Sequence, residues 1–170
     1  DAHGRDHVST AKIGFDKDGM IVGLKVDTKA NLGAYMSLFS SAVPTYLYAT
    51  LLSGQYNIAN IYCNVQAVYT NTVPVDAYRG AGRPEACYVI ERLMETAARE
   101  MGVDPSELRA KNFVTSFPHQ TPVIMAYDSG DFAANQKQAQ DAADVAGFAA
   151  RKAEAASRGK MRGLGYSNYI

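Results

Sequence analysis

Two segments near the start of the chain alternate apolar and polar residues and flank a short turn. They are His7–Phe15 and Met20–Ala30, and the turn between them reads Asp-Lys-Asp-Gly. A period of two is typical of strands that bury one face, so the pattern predicts an antiparallel hairpin. Ile61–Thr70 repeats this pattern and predicts a further strand. The residues of that strand expected on one face are Ile61, Cys63, Val65, Ala67 and Tyr69.

The segments around these strands carry weaker patterns. Asn31–Pro44 contains many small residues and predicts a loop, whereas Thr45–Leu52 is apolar and aromatic without a clear period and is interpreted as a short helix. Thr115–Gly130 mixes prolines with aromatic residues and predicts an ordered surface loop. Gly163–Ile170 predicts the beginning of another strand.

Helical spacing dominates the second half of the chain. Pro84–Met101 places apolar residues three and four positions apart, and Gly102 supplies a helix end. The tetrapeptide Asp104–Glu107 is typical of a capped helix start and predicts a second helix to about Asn112. Two alanine-rich helices are predicted at Asp131–Ala146 and Phe148–Ser157. Strands first and helices later favour an α+β fold, with an antiparallel hairpin and strands followed by several helices in one domain over residues 1–170.

Composition narrows the class of protein. The chain has 170 residues, 47% of them hydrophobic and 20% charged, which is ordinary for a globular domain. Seventeen basic residues balance seventeen acidic ones, so no basic surface argues for nucleic acid, and no apolar run approaches the ~20 residues needed to span a membrane. Cys63 and Cys87 are too few for a disulfide framework or a zinc motif and are expected to be buried thiols.

The most informative stretch is Val75–Glu85, which reads VDAYRGAGRPE and connects a predicted strand to the longest predicted helix. Gly80 and Gly82 allow the backbone to turn sharply, and Arg79 and Arg83 bring two guanidinium groups to a helix N-terminus. Open backbone amides at such a position, together with fixed cations, favour an anion-binding site. The alternative interpretation is an ordinary tight turn with solvated arginines.

Other candidate sites are weaker. His3 and His7 are four residues apart, but Gly-Arg-Asp between them is a poor helix and the metalloprotease glutamate is missing. GAGRPE fits neither the dinucleotide fingerprint nor the P-loop, because it ends in Glu85 and lacks Gly-Lys-Ser/Thr. Only Glu85 of the long helix is expected near the loop, and His119 is expected to be a hydrogen-bonding loop residue. The helix glutamates expected to face solvent are Glu91, Glu95 and Glu100.

The residues 75–114, VDAYRGAGRPEACYVIERLMETAAREMGVDPSELRAKNFV, resemble the middle of the large subunit of molybdenum hydroxylases. This family contains xanthine dehydrogenase, aldehyde oxidase and aerobic carbon monoxide dehydrogenase. DAHGRDH, KANLGAY, YDSGDF and GLGYSNYI extend the resemblance in order along nearly the whole chain, and the AYRGAGR loop is similar to the second, carbon-monoxide-dehydrogenase-like form. The chain is therefore expected to be a piece of a longer polypeptide, part of a larger molybdenum-cofactor-binding domain.

The resemblance implies a molybdopterin cytosine dinucleotide carrying molybdenum, bound by a cytoplasmic enzyme. It also implies partner subunits, namely a small iron–sulfur subunit and a medium subunit with FAD, in a dimer of heterotrimers with the remainder of the large subunit. The enzyme would oxidise a small molecule with water as the oxygen source. The cofactor-binding residues implied are Tyr78, Arg79, Gly80, Ala81 and Gly82, with the main chain of Arg79 facing molybdenum and residues 80–82 lining the substrate side.

Two departures from the family leave the substrate open. Carbon monoxide dehydrogenase proper has a copper-binding cysteine where this chain has Gly80, and xanthine dehydrogenase has a substrate-stacking phenylalanine at the position of Ala81. The family's catalytic glutamate lies outside these 170 residues, so the chain alone is expected to be inactive. The competing interpretations are a non-catalytic scaffold that packs against partner subunits and, less favoured, a free-standing nucleotide-binding protein.

Overall fold

A three-stranded sheet forms the first half of the molecule, as seen in a computed structural model that describes residues 2–170. β1 (His7–Phe15) pairs antiparallel with β2 (Ile21–Gly33), and β3 (Ile61–Tyr69) lies on the other side of β2. The predicted hairpin is confirmed, although β2 continues into the predicted loop as far as Gly33. The α+β fold class is confirmed as well.

β3 runs parallel to β2, which the sequence pattern does not specify. A bulge between Asn31 and Gly33 shifts the register where β3 ends, and bulges disturb the regular alternation of faces. Ile61, Cys63 and Val65 are half-buried as predicted, whereas two residues predicted on the same face are exposed. These exposed residues are Ala67 and Tyr69.

The connection from β2 to β3 contains a short helix that begins earlier than predicted. A six-residue π-helix spans Ala42–Leu47, continues as a turn of α-helix through Tyr48 and Ala49, and gives way to turns before Leu52. This connection packs Tyr48, whose side chain is fully buried, beneath the sheet. The backbone of this connection therefore lies directly against the loop that follows β3.

Four α-helices follow the sheet. α1 (Arg83–Met101) ends at Gly102, whose φ of 68° is the left-handed C-cap expected of glycine, and α2 (Pro105–Asn112) starts with the Asp104 carboxylate accepting from the Ser106 and Glu107 amides. Of the two later helices, the first ends earlier than predicted, where a 3₁₀ turn intervenes, and the second has the predicted bounds. They are α3 (Phe132–Ala142) and α4 (Phe148–Ser157), separated by the turn Val145–Gly147.

Two predictions for the second half of the chain need correction. Thr115–Gly130 is not loop throughout, because a miniature hairpin forms from β4 (His119–Gln120) and β5 (Ala126–Tyr127). Gly163–Ile170 is not a strand in the part of the chain that the structure describes. Three of its carbonyls accept hydrogen bonds from side chains instead of from a neighbouring strand. These side chains are Gln55, Arg83 and Arg109, which donate to Tyr169, Ile170 and Tyr166 respectively.

The core lies between the sheet and α1. Val26 of β2 and Ile90 and Met94 of α1 are almost completely buried and belong to one cluster. Burying such side chains stabilises the fold by about 1.5–3 kcal/mol each relative to leaving them exposed. Among the described residues, no helix is long and apolar enough to cross a membrane. The packing fixes α1 against the sheet and so fixes where its N-terminus lies.

Candidate functional site: the loop before α1

Three consecutive residues of the loop have left-handed backbone conformations. The φ angles of Gly80, Ala81 and Gly82 are 101°, 42° and 92°. Glycine adopts this region freely, but alanine does so at a cost of order 1–3 kcal/mol, and such strain is concentrated at functional sites. The conformation of Ala81 must therefore be held by its surroundings.

Close contacts to Gly82 hold the loop from below. A Cβ atom added at Gly82 would lie 2.6 Å from the Tyr48 amide nitrogen and 2.8 Å from the Leu47 carbonyl carbon. Both neighbours are backbone atoms of the β2–β3 connection, which cannot move aside as a side chain can. Glycine is required here by space as well as by φ.

The expected anion site is only partly open. The amides of Ala81 and Arg83 donate to Tyr78 and Gly80 carbonyls at 2.9 Å and 3.0 Å, so these two are used within the loop itself. Within residues 2–170, the amides of Gly80 and Gly82 have no acceptor. The amides of Tyr78 and Arg79 also have no acceptor there, and Gly82 is buried, so the donors open to a ligand are those of Tyr78, Arg79 and Gly80.

The two arginines also differ. Arg83 donates through Nε to the Ile170 carbonyl at 2.8 Å and is half-buried, so it is not available at the loop as expected. Arg79 is exposed, and no carboxylate of the described residues lies within ion-pair distance of it. Tyr78 beside it is 63% exposed. The loop thus presents Tyr78 and Arg79 as its outward side chains.

The N-terminal segment fastens the loop from the opposite side. The amide of His3 donates to the Pro74 carbonyl at 2.9 Å, and the His3 carbonyl accepts from the Asp76 amide at 2.8 Å. Arg5 then donates through its guanidinium to the carbonyl oxygen of Arg79. No sequence pattern singles out Arg5.

A groove of about 800 Å³ lies between β1 and α1 beside this contact. Its lining includes Arg5, His7 and Glu85, together with apolar residues of α1. The Glu85 side chain is 7% exposed, lies 3.8 Å from the Arg5 Nε, and has one oxygen without a hydrogen bond. Glu85 is therefore near the loop as expected, but it is buried.

His7 is also under-satisfied in this groove. Burial lowers the pKa of its ring, against the opposing charges of Glu85 and Asp6. The Pro44 carbonyl is near enough to favour the protonated ring, but neither ring nitrogen has a hydrogen bond of ordinary geometry. In residues 2–170, His7 and His3 belong to no cluster of three side chains able to hold a metal ion.

Three further predicted residues behave differently from expectation. Nε2 of His119 is buried without a hydrogen-bond partner, and the ring instead stacks on Tyr127 with centroids 6.2 Å apart. Cys63 and Cys87 are half-buried free thiols rather than buried ones. Burial is the main cause that raises the pKa of both thiols, which keeps them protonated.

Sequence reasoning missed a buried charged network on the far side of α1. Glu91, expected to face solvent, is 5% exposed and pairs with the fully buried Arg109 at 2.9 Å. The Tyr56 hydroxyl donates to the same carboxylate at 2.5 Å. Nothing in the sequence around Arg109, a single arginine on a short polar helix, indicates that it is buried.

Comparison with known proteins assigns the family. Residues 1–113 match the model of a molybdopterin cofactor-binding domain, which covers the sheet, the loop, α1 and α2. The chain belongs to this family. The resemblance to molybdenum hydroxylase large subunits is thereby confirmed.

Individual relatives agree with the assignment to the molybdopterin cofactor-binding domain family. The chain is 38% identical over 164 residues to the carbon monoxide dehydrogenase large chain of Hydrogenophaga pseudoflava, covering 92% of this chain and 20% of that one. Quinoline 2-oxidoreductase from Pseudomonas putida 86 superimposes with a TM-score of 0.85 at 27% identity, over 93% of this chain and 20% of the other. A Cu,Mo-CO dehydrogenase gives 0.79 at 30% identity, over 93% and 21%. The chain thus spans about a fifth of these relatives.

The loop fits an anionic cofactor such as molybdopterin on the chemistry of its donors. Arg79 is a cation without a carboxylate partner in the described part of the chain, and the amide of Gly80 lacks an acceptor there. Gly80 has no side chain to keep a ligand away from this amide. Both carboxylates of the loop are engaged elsewhere, since Asp76 accepts from Ser37 and from the Phe39 and Ala77 amides while Glu85 faces Arg5.

Proposed function

We propose that this chain supplies the loop Tyr78–Gly82 to the active site of a molybdenum-dependent oxidoreductase. The observation that carries the proposal is the run of left-handed residues at 80–82, which holds the acceptor-free and partly exposed amide of Gly80 beside the exposed Arg79. Fixed donors of this kind stabilise negative charge where it develops, because they need no reorganisation during the reaction. Family membership supports molybdopterin as the group that they serve.

Within this proposal each loop residue has a role. The main chain of Arg79 faces the molybdenum site, and its guanidinium together with Tyr78 binds the cofactor. Gly80, Ala81 and Gly82 line the substrate side, where the absence of large side chains leaves room for substrate. When bound, the molybdenum cofactor supplies oxidation of the substrate with an oxygen atom from water. We further propose its cytosine dinucleotide form.

We propose a small molecule as the substrate: carbon monoxide, an aldehyde or a heterocycle. Relatives named for carbon monoxide and for quinoline support this range. Copper is not part of the proposal, because Gly80 offers no thiolate as a soft ligand. A Cβ at this position would also lie 2.7 Å from Pro84 Cδ, so the loop has no space for a cysteine without moving.

The assembly proposed is the remainder of the large subunit with an iron–sulfur subunit and an FAD subunit, as a dimer of heterotrimers in the cytoplasm. The name "large chain" of a relative supports several subunits. The 170 residues alone are proposed to be inactive, since they span about a fifth of such relatives. Turnover by the isolated chain would contradict this part.

Elemental mass spectrometry of the full-length protein, with its partner subunits, tests the proposal. We expect equimolar molybdenum without copper, and release of cytidine monophosphate when the cofactor is hydrolysed. Copper together with molybdenum would refute the interpretation of Gly80. Absence of both metals from protein made by cells supplied with them would refute the proposed function and favour a non-catalytic scaffold.

A further inference from the structure

One arginine side chain contacts three residues of the loop and of the following helix. The Arg5 guanidinium donates to the Arg79 carbonyl oxygen, its Cζ lies 4.7 Å from the centroid of the Tyr78 ring, and its Nε lies 3.8 Å from the Glu85 carboxylate. Arginine suits this arrangement because its planar fork can donate and stack at once. Arg5 therefore connects the two outward-facing loop residues to α1.

The backbone conformation of Arg5 and the close approach at Gly4 support this contact. Arg5 has a φ of 63°, in the left-handed region that non-glycine residues seldom adopt. A Cβ added at the preceding Gly4 would lie 2.6 Å from the Tyr78 Cβ, so the two segments touch directly. The Arg5 side chain is 32% exposed, while its partner Glu85 is 7% exposed. An arginine whose side chain moved freely in solvent would not need this backbone conformation or this close approach.

The contact fixes the direction of a loop donor. The peptide bond between Arg79 and Gly80 is trans, and in a trans peptide the C=O and N–H groups point to opposite sides. Holding the Arg79 carbonyl towards Arg5 therefore turns the Gly80 N–H away from Arg5. That N–H has no acceptor within residues 2–170.

We propose that Arg5 is a positioning residue, which orients the Gly80 amide towards the anionic group held at the loop by fixing the plane of the 79–80 peptide. The proposal rests on the proposed function, because it assumes that the loop serves the molybdenum cofactor. Glu85 assists by holding the Arg5 guanidinium in place. Arg5 itself contacts neither cofactor nor substrate.

The test uses the full-length protein with its partner subunits, comparing wild type with Arg5→Met and Arg5→Lys. Arg158→Met is the matched control, because Arg158 is an exposed arginine paired with Glu154 on the remote helix α4. Three quantities are measured: molybdenum per chain, the electron paramagnetic resonance spectrum of the metal after dithionite reduction, and amide hydrogen exchange of the loop.

We expect Arg5→Met to retain molybdenum but to change the spectrum and to speed amide exchange at Gly80, because the 79–80 peptide is no longer held in one plane. For Arg5→Lys we expect values between those of wild type and Arg5→Met. An ammonium keeps the charge but cannot stack on Tyr78 and bridge to Glu85 at the same time. Arg158→Met should match wild type in all three quantities.

The two proposals fail in distinguishable ways. Wild-type protein without molybdenum would overturn the proposed function and this inference with it. Molybdenum in every variant, with the spectrum and Gly80 exchange of Arg5→Met identical to wild type, would overturn the positioning role alone. If Arg5→Met does not fold, Arg5→Lys decides by the same criterion, because identity of its spectrum and exchange with wild type would also overturn the role.

Discussion

Two of the arginine–glutamate pairs on α1 differ in almost every physical respect. At Glu91 the partner is Arg109, at 2.9 Å with both side chains nearly inaccessible. At Glu85, less than two turns earlier on the same helix, the partner is Arg5, at 3.8 Å and partly exposed. We call the first the closed pair and the second the open pair.

The closed pair satisfies nearly every polar atom. Arg109 also donates to the carbonyls of Pro105 at 3.0 Å and Glu91 at 3.2 Å, and Tyr56 donates to the remaining Glu91 oxygen. Burial, reinforced by the Glu91 charge, raises the pKa of Tyr56 well above its usual range, so its hydroxyl remains a donor. Such a network joins α1 to α2 and has no capacity left for a ligand.

The open pair leaves polar atoms without partners. An oxygen of Glu85 and both nitrogens of His7 are buried without hydrogen bonds, and they lie in a groove beside a strained loop. Natural proteins rarely leave such groups unsatisfied without a functional reason. On the proposed role of Arg5, the number of hydrogen-bonding atoms left without partners, and not the residue types, separates the structural ion pair from the one beside the loop.

The largest expected effect comes from breaking the closed pair. Arg109→Ala leaves the Glu91 carboxylate buried and unpaired, and should lower the free energy of unfolding by about 3–5 kcal/mol. Arg5→Ala at the open pair should cost less, because the pair is longer and its arginine is 32% exposed, although it leaves the 7% exposed Glu85 without a cation. Denaturant unfolding of the purified chain measures both. Equal losses for the two variants would remove the distinction.

A smaller effect tests whether backbone contacts, rather than the open ion pair, hold the loop. Gly82→Ala should cost at least about 2 kcal/mol, because strain at positive φ adds to collision with the Tyr48 and Leu47 backbone. Gly102→Ala is the matched control, since Gly102 is also left-handed but has no atom near its added Cβ. It should lower the free energy of unfolding by only about 1–2 kcal/mol, because only the strain of a positive φ is added. Thermal unfolding of both variants gives the comparison, and equal costs would contradict it.

The smallest effect concerns pH. Burial lowers the pKa of His7 below its ordinary value of 6.5, so between these two values the unfolded chain binds more protons than the folded one. The free energy of unfolding should therefore fall as pH drops through 6.5 to the folded pKa. His7→Gln should lose this part of the slope when midpoints are measured from about pH 7.5 to about pH 5. Parallel curves for wild type and variant would contradict it.

Local signals explain which parts of the fold were predictable. The hairpin, α1 and α2 follow from alternation, helical spacing and the Asp104 cap, all of which act between near neighbours in sequence. The parallel pairing of β3 and the conformation of Gly163–Ile170 depend on partners that are distant in sequence. An extended apolar segment looks like a strand whether or not a neighbouring strand exists, so that prediction was wrong.

The candidate site divides in the same way. The glycines at 80 and 82 and the start of α1 follow from the loop's own sequence, and the left-handed angles agree with them. The burial of Glu91 and the role of Arg5 do not, because each depends on a partner from another part of the chain. The assignment of Tyr78 and Arg79 to cofactor binding stays a prediction.

The distance along the chain between Arg5 and the loop has a consequence for the order of folding. The hydrogen bond from Arg5 to Arg79 joins residues 74 positions apart, and Gly82 rests on the connection between two parallel strands. Contacts that close such long segments cost chain entropy before they stabilise anything. We expect the loop to take its final shape after the sheet and α1 have assembled, so that Arg5→Ala accelerates unfolding while leaving the folding rate unchanged. Slower folding of that variant would place the loop in the folding nucleus instead.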